Sequence, residues 1–238
     1  MKRIFYIEKY ALWPQTKNTP DVSFIPPFIR RRLTAVERIG LFLAHQLEPL
    51  PDYYQVVFSS RFGEWQQTID LISQFHNEKE MSPSGFSHSV HNAMPAMLSL
   101  LTKETEAYTS IAAGEKSLES GLLESFCSPK PVLFLYAEEA TPDFYTKHFS
   151  TPFLGHGIGL ILSPEETENT AKISAETNNN NPFPMFSFKT KVAENAVKIS
   201  VETNKNTPLP PLSFETLAEF LEKGEALSTS GFSLRKEK

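Results

Sequence analysis

The segment PVLFLY at Pro131–Tyr136 is a continuous apolar run flanked by turn-forming residues. A short run of this kind is typical of a strand buried on both faces, which occurs mainly in sheets that helices cover on both sides. Shorter apolar segments with strand or helix periodicity alternate along the first two thirds of the chain. Strands that alternate with helices favour βαβ units. We therefore predict an α/β layered domain in which helices cover both faces of a mainly parallel sheet.

The predicted elements follow this alternation. Strands are predicted at Arg3–Trp13, Tyr53–Ser60, Tyr108–Ala113, Pro131–Tyr136 and Gly157–Leu162. Helices are predicted at Thr34–Leu47, Gly63–Gln74, Ser89–Leu101 and Lys116–Phe126. Pro14–Arg30 contains four prolines and is expected to be an irregular connection. Near the C-terminus we expect an amphipathic helix at Phe214–Lys223 and a last strand at Gly231–Leu234.

The C-terminal third contains an internal repeat with a period of 26 residues. Glu168–Phe188 (ENTAKISAETNNNNPFPMFSF) and Glu194–Phe214 (ENAVKISVETNKNTPLPPLSF) are identical at 13 of 21 positions. Two copies are too few for a solenoid, which needs about three. We expect a duplicated hairpin-like segment over residues 168–214, at the sheet edge of a single domain that spans residues 1–238. The alternative is an extra hairpin that contacts a partner.

The composition disfavours several classes of function. The formal net charge is −5, which argues against broad nucleic-acid binding. Cys127 is the one cysteine, so no intrachain disulfide can form, and the chain fits a reducing compartment such as the cytoplasm. The N-terminal apolar stretch is interrupted by Glu8 and Lys9, which favours a strand over a signal peptide, and no window is long enough to span a bilayer. The glycine-rich Gly155–Gly159 does not match the dinucleotide-binding pattern and is interpreted as a turn into a buried strand.

Four segments resemble condensing enzymes of the thiolase fold. They are FSSRFGEW at Phe58–Trp65, SPSGFSHSVHNA at Ser82–Ala93, SIAAGEKS at Ser110–Ser117 and VLFLYAEEA at Val132–Ala140. Together with the first strand, they are similar to chain length factors, the β-ketoacyl-synthase-like proteins found beside ketosynthases in aryl polyene biosynthesis. The resemblance implies a single thiolase-like half with a βαβαβαββ order, because 238 residues are too few for the second half of the duplicated fold.

The resemblance also indicates that the catalytic nucleophile is missing. In condensing enzymes a reactive cysteine opens the helix after the SIAAG-like strand, and an ungapped alignment from Asn92 brings this position to Glu115. A carboxylate cannot form the acyl thioester, and motifs matching the histidine-bearing loops of the family are absent. We therefore expect no catalytic residue and no enzymatic activity, with Glu115 as a structural residue at a helix start. An acid or base role for Glu115 is the alternative.

The segment around Asn92 is expected to be structural. Asn92 matches the helix asparagine that buttresses the active-site region in the family, and we interpret it as a buried amide that closes a loop. Ser89 is predicted to cap the same helix. His88 and His91 could bind a metal ion, but no third ligand is evident, so neither a metal nor another cofactor is expected.

Several residues match positions that contact a neighbouring subunit in the family. Phe86 lies in the loop that reaches into the partner's acyl pocket in related dimers. The helix Gly63–Gln74 matches the one that closes the far end of that pocket, and its candidate floor residues are Thr68, Leu71, Ile72 and Phe75. Tyr108 and Ser110 lie on the strand expected to pair edge to edge across the dimer axis. An ordinary core role is the alternative for Phe86 and for the helix stripe.

Three functions remain open at this point. The first is a non-catalytic chain length factor that forms a heterodimer with a full-length ketosynthase, shapes its acyl tunnel in polyene or fatty-acid-like biosynthesis, and meets acyl carrier protein through that complex. The second is a hydrolase or acyltransferase that uses Cys127 or a serine with one of the six histidines. The third is a self-associating scaffold that binds acyl carrier protein.

Overall fold

The computed structural model describes residues 2–78, 80–104, 106–150, 152–165, 171–178, 181–190, 198–201, 213–223, 228–229 and 232–237. The strands are β1 Lys2–Thr16, β2 Gln55–Ser59, β3 Tyr108–Ile111, β4 Val132–Glu138, β5 Gly155–Ser163, β6 Ala171–Asn178, β7 Asn181–Thr190, β8 Lys198–Val201, β9 Ser228–Thr229 and β10 Phe232–Glu237. The helices are α1 Pro27–Arg30, α2 Ala35–Gln46, α3 Trp65–Glu78, α4 Pro83–Ser87, α5 Ala93–Thr102, α6 Ser117–Ser125 and α7 Phe214–Lys223. Two 3-10 turns lie at Gly114–Lys116 and Asp143–His148.

Seven strands form one sheet in the order β3-β2-β4-β5-β1-β6-β7. Strands β3, β2 and β4 are parallel, as the βαβ pattern predicts. The other pairings, β4 with β5, β5 with β1, β1 with β6, and β6 with β7, are antiparallel. The α/β layered class is therefore confirmed, but the expectation of a mainly parallel sheet is wrong. The connection from β4 to β5 contains only the 3-10 turn Asp143–His148, and a parallel return needs a longer crossover.

Helices cover both faces of this sheet, as predicted. Successive side chains of β4 point to opposite faces, because the strand period is two residues. Leu133 and Leu135 belong to a core that they share with α2 and α5. Phe134 and Tyr136 belong to a second core that includes α6 and α7. All seven residues of β4 are buried, which agrees with its continuous apolar sequence.

The glycines of β5 allow α2 to lie close to the sheet. A Cβ atom at Gly157 would lie 2.7 Å from Cγ2 of Ile39, and one at Gly159 would lie 2.9 Å from Cδ1 of Leu47. Strand β5 confirms the strand predicted at Gly157–Leu162, and because it already begins at Gly155, the interpretation of Gly155–Gly159 as a turn is wrong. Glycine is needed at both positions because the neighbouring side chains of α2 and its C-cap occupy the space that a Cβ atom would fill.

The first copy of the repeat forms a hairpin. Strands β6 and β7 pair antiparallel, with Asn178 opposite Asn181, and extend the sheet beyond β1. In the second copy β8 pairs with β10 in a separate three-stranded sheet, and most of the remaining residues lie outside the described ranges. The duplicated hairpin and the single domain over 1–238 therefore stay predictions. Among the described residues, no helix has both the length and the apolar character to cross a membrane.

Candidate functional site

Glu115 lies in the 3-10 turn between the edge strand β3 and helix α6. The turn is stabilised by Ser117, whose hydroxyl donates to the carbonyl of Gly114 at 2.7 Å and accepts the N–H of Ala113 at 3.0 Å. The Glu115 side chain is 73% exposed, and its Oε1 lies 3.5 Å from a guanidinium nitrogen of Arg61. The structure thus places Glu115 immediately before a helix, where the sequence predicted it.

A cavity of about 440 Å³ opens beside this turn. Its apolar wall includes Phe62, Tyr136, Phe153 and Phe214, and its polar lining includes Arg61, Glu115, Glu138, Glu139, His156 and Glu215. Arg61 stacks over the ring of Phe62, with 4.7 Å between the guanidinium carbon and the ring centroid. Carboxylates outnumber cations in this lining, so the cavity is electrostatically unsuited to an anionic ligand.

The cavity has a neutral histidine but no thiol. Nδ1 of His156 lies 2.7 Å from the carbonyl oxygen of Leu154, so Nδ1 donates and Nε2 is left as an acceptor. Burial lowers the pKa of His156 and keeps the ring uncharged. Cys127 does not line the cavity; it is exposed and follows the C-terminal end of α6. That end of a helix does not stabilise a thiolate.

Two adjacent glutamates, Glu138 at the end of the buried strand β4 and Glu139 directly after it, hold the segment that leads into α3 and the start of that helix. Glu138 accepts the hydroxyl of Ser60 at 3.1 Å and the backbone N–H of Arg61. Glu139 accepts the backbone N–H of Gln66 at 2.7 Å. Burial raises the pKa of each carboxyl to about 7. Sequence reasoning assigned these residues no role, although two acids directly after a fully apolar strand are unusual enough to indicate one.

The two histidines of the Ser82–Ala93 segment anchor it to the rest of the fold. Nδ1 of His88 lies 2.6 Å from Oε1 of Glu37, which is fully buried at the start of α2. His91 lies 2.6 Å from the hydroxyl of Ser110 through Nδ1 and 3.0 Å from the carbonyl oxygen of Ser60 through Nε2. These contacts occupy both ring nitrogens of His91, and no group of three ligands suited to a metal ion occurs among the described residues.

The predictions for Ser89 and Asn92 are wrong in detail. Pro83 begins a separate short helix that Ser82 caps by accepting the N–H of Gly85 at 3.2 Å, and α5 begins only at Ala93. Ser89 lies between the two helices, where its hydroxyl donates to the carbonyl of Phe86 in the last turn of α4 at 2.9 Å, so it does not cap the start of α5.

Asn92 is exposed, and it is not the buried amide that the sequence suggested. It occupies the position before α5 without a side-chain capping bond. Its Nδ2 lies 3.4 Å from the hydroxyl of Tyr108, at the edge strand β3. The exposure follows from the late start of α5, which leaves Asn92 on the turn between two helices and not inside one.

Most of the candidate partner-contact residues lie at the surface. Ile72 is 63% exposed, Phe75 is 55% exposed and Phe86 is 54% exposed. Thr68 is also exposed, whereas Leu71 is 6% exposed and belongs to the interior. The core alternative is thus wrong for Phe86 and for the outer stripe of α3, and it holds for Leu71. The side-chain amide of Gln67 donates to the carbonyl of Gly85 at 3.0 Å and joins the two surfaces.

Strand β3 lies at one end of the seven-stranded sheet. Within the described residues it pairs only with β2, so its outer edge is unpaired there. Tyr108 and Ser110 are both half-buried. The hydroxyl of Ser110 is bonded to His91, which connects the edge strand to the segment that includes Phe86.

Two solved structures have similar folds. A chain from the complex of the ketosynthase ApeO with its chain length factor ApeC, from Xenorhabdus doucetiae, is 23% identical with a TM-score of 0.57, over 67% of this chain and 69% of that chain. A chain from the AntDE:AntF structure, a type II PKS acyl-carrier protein in complex with its ketosynthase bound to the hexaketide, is 13% identical with a TM-score of 0.57, over 68% of this chain and 64% of that chain. At these identities both likenesses establish the fold alone.

A family model gives the assignment directly. The model for the N-terminal domain of β-ketoacyl synthases matches residues 7–209. No curated protein matches the chain. The matched range covers most of the 238 residues and contains the strand, turn and helix around Glu115. The chain therefore belongs to the β-ketoacyl synthase N-terminal domain family.

Proposed function

We propose that this chain is a non-catalytic chain length factor that forms a heterodimer with a full-length ketosynthase and shapes its acyl tunnel. The observation that carries the proposal is an exposed apolar surface on α3 and α4 in a ketosynthase-type domain. Glu115 is the residue that the resemblance predicts at the nucleophile position. The complex would extend acyl-carrier-protein thioesters in polyene or other fatty-acid-like biosynthesis. The single cysteine supports the cytoplasm as its compartment.

The residue at the nucleophile position supports a non-catalytic role. Condensation needs a thiolate that becomes acylated, and a carboxylate held beside Arg61 cannot replace it. Cys127 stands at the opposite end of α6 from Glu115 and outside the cavity. The chemistry would therefore take place in the partner.

The surface of α3 and α4 supports a protein partner. Ile72, Phe75 and Phe86 are each more than half exposed, and Met81 is 46% exposed. Helices α3 and α4 pack against each other. A patch of exposed apolar side chains on adjacent elements is typical of a protein interaction site. The outer edge of β3 offers backbone groups for pairing in addition, and His91 connects the two features.

Tunnel shaping would depend on the outer stripe of α3. Thr68, Ile72 and Phe75 are spaced four and three residues apart, which places them on one helix face. A packed wall yields to extra methylene groups only at about 1–3 kcal/mol of strain, so side-chain bulk can set a length limit. A complex of a ketosynthase with its chain length factor is known for ApeO and ApeC. Leu71 faces inward and would support the stripe from behind.

Co-expression with a full-length ketosynthase and its acyl carrier protein tests the proposal. We expect a stable 1:1 complex, and a product length distribution that differs from that of the ketosynthase alone. The paired substitution Ile72→Ala with Phe75→Ala should lengthen the products while the complex persists. Phe28→Ala, which removes an aromatic ring that is 67% exposed on α1, is the matched control.

Two results would overturn the proposal. One is a ketosynthase that does not co-purify with this chain and extends acyl chains normally without it. The other is hydrolysis or acyl transfer by the isolated chain that is abolished by Cys127→Ala, which would favour the hydrolase or acyltransferase alternative. A homodimer that retains acyl carrier protein without any ketosynthase would favour the scaffold.

A further inference from the structure

Helix α3 begins without a capping side chain from its own sequence. Glu64 immediately precedes the helix, but its side chain is 2% exposed and lies beside Thr34 and Glu37 at the start of α2. The first backbone N–H groups of a helix have no partner inside the helix, and leaving them without an acceptor weakens the first turn. The N–H of Trp65 donates to the carbonyl of Gly63 at 2.9 Å, whereas the N–H of Gln66 finds its acceptor on another element.

Glu139 supplies that acceptor from the end of β4. Its Oε1 accepts the N–H of Gln66 at 2.7 Å. The residue is 8% exposed, so its position is fixed by packing. The side chain of Gln66 is bonded to Asp70 at 2.7 Å and does not compete for Glu139. A carboxylate at a helix N-terminus is also favoured by the helix dipole.

Glu138 holds the segment immediately before α3. It accepts the hydroxyl of Ser60 at 3.1 Å and the N–H of Arg61, and Ser60 in turn accepts the N–H of Gly63 at 2.8 Å. Consecutive glutamates at the end of the buried strand β4 therefore fix both the approach to α3 and its first turn. Tyr136 and Phe134 secure that strand within the core.

We infer that Glu139 is a positioning residue that sets how far the outer stripe of α3 projects toward the partner. Ile72 and Phe75 lie two to three turns beyond the capped end, so a shift of the first turn moves both side chains together. The inference rests on the proposed function, because the projection of Ile72 and Phe75 is assessed through the length of the products that the complex makes. It assigns a length-determining role to a buried residue that is remote from the tunnel surface.

The test compares Glu139→Ala, Glu139→Gln and Glu139→Asp in the complex with the ketosynthase, with exposed Glu8→Ala as control. Hydrogen exchange at Trp65–Thr68 reports on the cap, and product length reports on projection. We expect Glu139→Ala to speed exchange there at least tenfold and to broaden the product distribution by one extension unit or more. Glu139→Gln retains an acceptor oxygen and should restore the wild-type distribution. Glu139→Asp keeps folding intact but draws the carboxylate back, and it should give an intermediate distribution.

The outcomes separate this inference from the proposed function. Faster exchange in Glu139→Ala or Glu139→Asp with unchanged product lengths would overturn the positioning role and leave Glu139 as a cap for stability only. Equal shifts in the alanine and glutamine variants would overturn it as well, because the glutamine keeps the cap. If the wild-type chain neither binds the ketosynthase nor alters its products, the proposed function fails, whereas the exchange result still reports on the cap.

Discussion

The imidazole of His91 lies 2.6 Å from the hydroxyl of Ser110, and this contact joins the turn before α5 to the edge strand β3. The other ring nitrogen donates to the carbonyl of Ser60 at 3.0 Å. One side chain therefore links three segments: the end of β2, the edge strand, and the segment that includes Phe86. Gly63 has φ of +59°, and a Cβ atom there would lie 2.9 Å from the His91 ring, so the loop is shaped around the histidine.

We predict that His91→Ala weakens the complex with the ketosynthase about tenfold. The substitution removes the side-chain donor to the carbonyl of buried Ser60 and loosens the edge strand from the Phe86 segment, at a cost of about 1–3 kcal/mol. Titration calorimetry or surface plasmon resonance measures the affinity. Ser87→Ala removes an exposed hydroxyl of the same segment and should leave the affinity unchanged. If His91→Ala and wild type bind the ketosynthase with equal affinity, then the edge strand β3 and the Phe86 segment contact the partner independently of each other, or neither contacts it.

The spacing of apolar residues predicted most element bounds, because the burial of one face of each helix or strand imposes that spacing on the sequence. Helix α7 has the predicted bounds Phe214–Lys223, and β4 lies within two residues of its prediction. The direction of β5 was missed because it depends on the connection after β4 and not on the strand itself. Helix α4 was missed, although Ser82 followed by Pro83 is a recognisable helix start.

The site was predictable only where a local motif exists. Glu115 was located because the strand, turn and helix around it are contiguous in sequence. The contact between Glu37 and His88 joins residues 51 positions apart, and that between Gln66 and Glu139 joins residues 73 positions apart. No periodic pattern in the sequence predicts such pairs, because the two residues meet only when the tertiary fold brings their segments together. One of the two contacts of Glu37, the capping box that it forms with Thr34, can be predicted from the local sequence.

Gly157→Ala should lower the free energy of unfolding by about 1–3 kcal/mol. The added methyl group would lie 2.7 Å from Ile39 Cγ2 and 2.8 Å from the carbonyl oxygen of Tyr136, and the backbone atom cannot move aside. Urea denaturation followed by tryptophan fluorescence measures the change. Combining it with Ile39→Ala, which removes Cγ2, should recover only part of the loss relative to Ile39→Ala alone, because the contact with the carbonyl oxygen of Tyr136 remains. A Gly157→Ala protein as stable as wild type would mean that α2 does not approach β5 this closely.

Stability should fall as the pH rises through 7 because of Glu138. Burial raises the pKa of this carboxyl to about 7 in the folded protein, above its ordinary value of 4.5, so the folded state binds more protons between these values. The free energy of unfolding should therefore decrease from pH 5 to pH 8, with a contribution of the order of 3 kcal/mol. His156, whose pKa is lowered by burial, contributes in the opposite direction.

Comparison of variants isolates the Glu138 contribution. Glu138→Gln keeps an acceptor oxygen but cannot titrate, so its stability should depend less on pH than that of wild type, with the largest difference in slope near pH 6, about midway between the unfolded and folded pKa values. Glu8→Gln is the control at an exposed position. Denaturant curves at pH 5, 6, 7 and 8 provide the measurement. Parallel pH profiles for wild type and Glu138→Gln would contradict the assignment.

Glu115→Ala should leave the activity of the ketosynthase complex within about twofold of wild type. The carboxylate is 73% exposed, and its ion pair with Arg61 is the kind of surface contact that contributes only about 0–1 kcal/mol. Malonyl-dependent chain extension by the purified complex is the measurement, and a denaturation curve checks that the fold is retained. Glu124→Ala, at the other end of α6, is the control. A loss of activity of a hundredfold or more in a folded Glu115→Ala complex would show that this carboxylate acts as an acid or base, and the chain would then have to be regarded as part of the catalytic machinery.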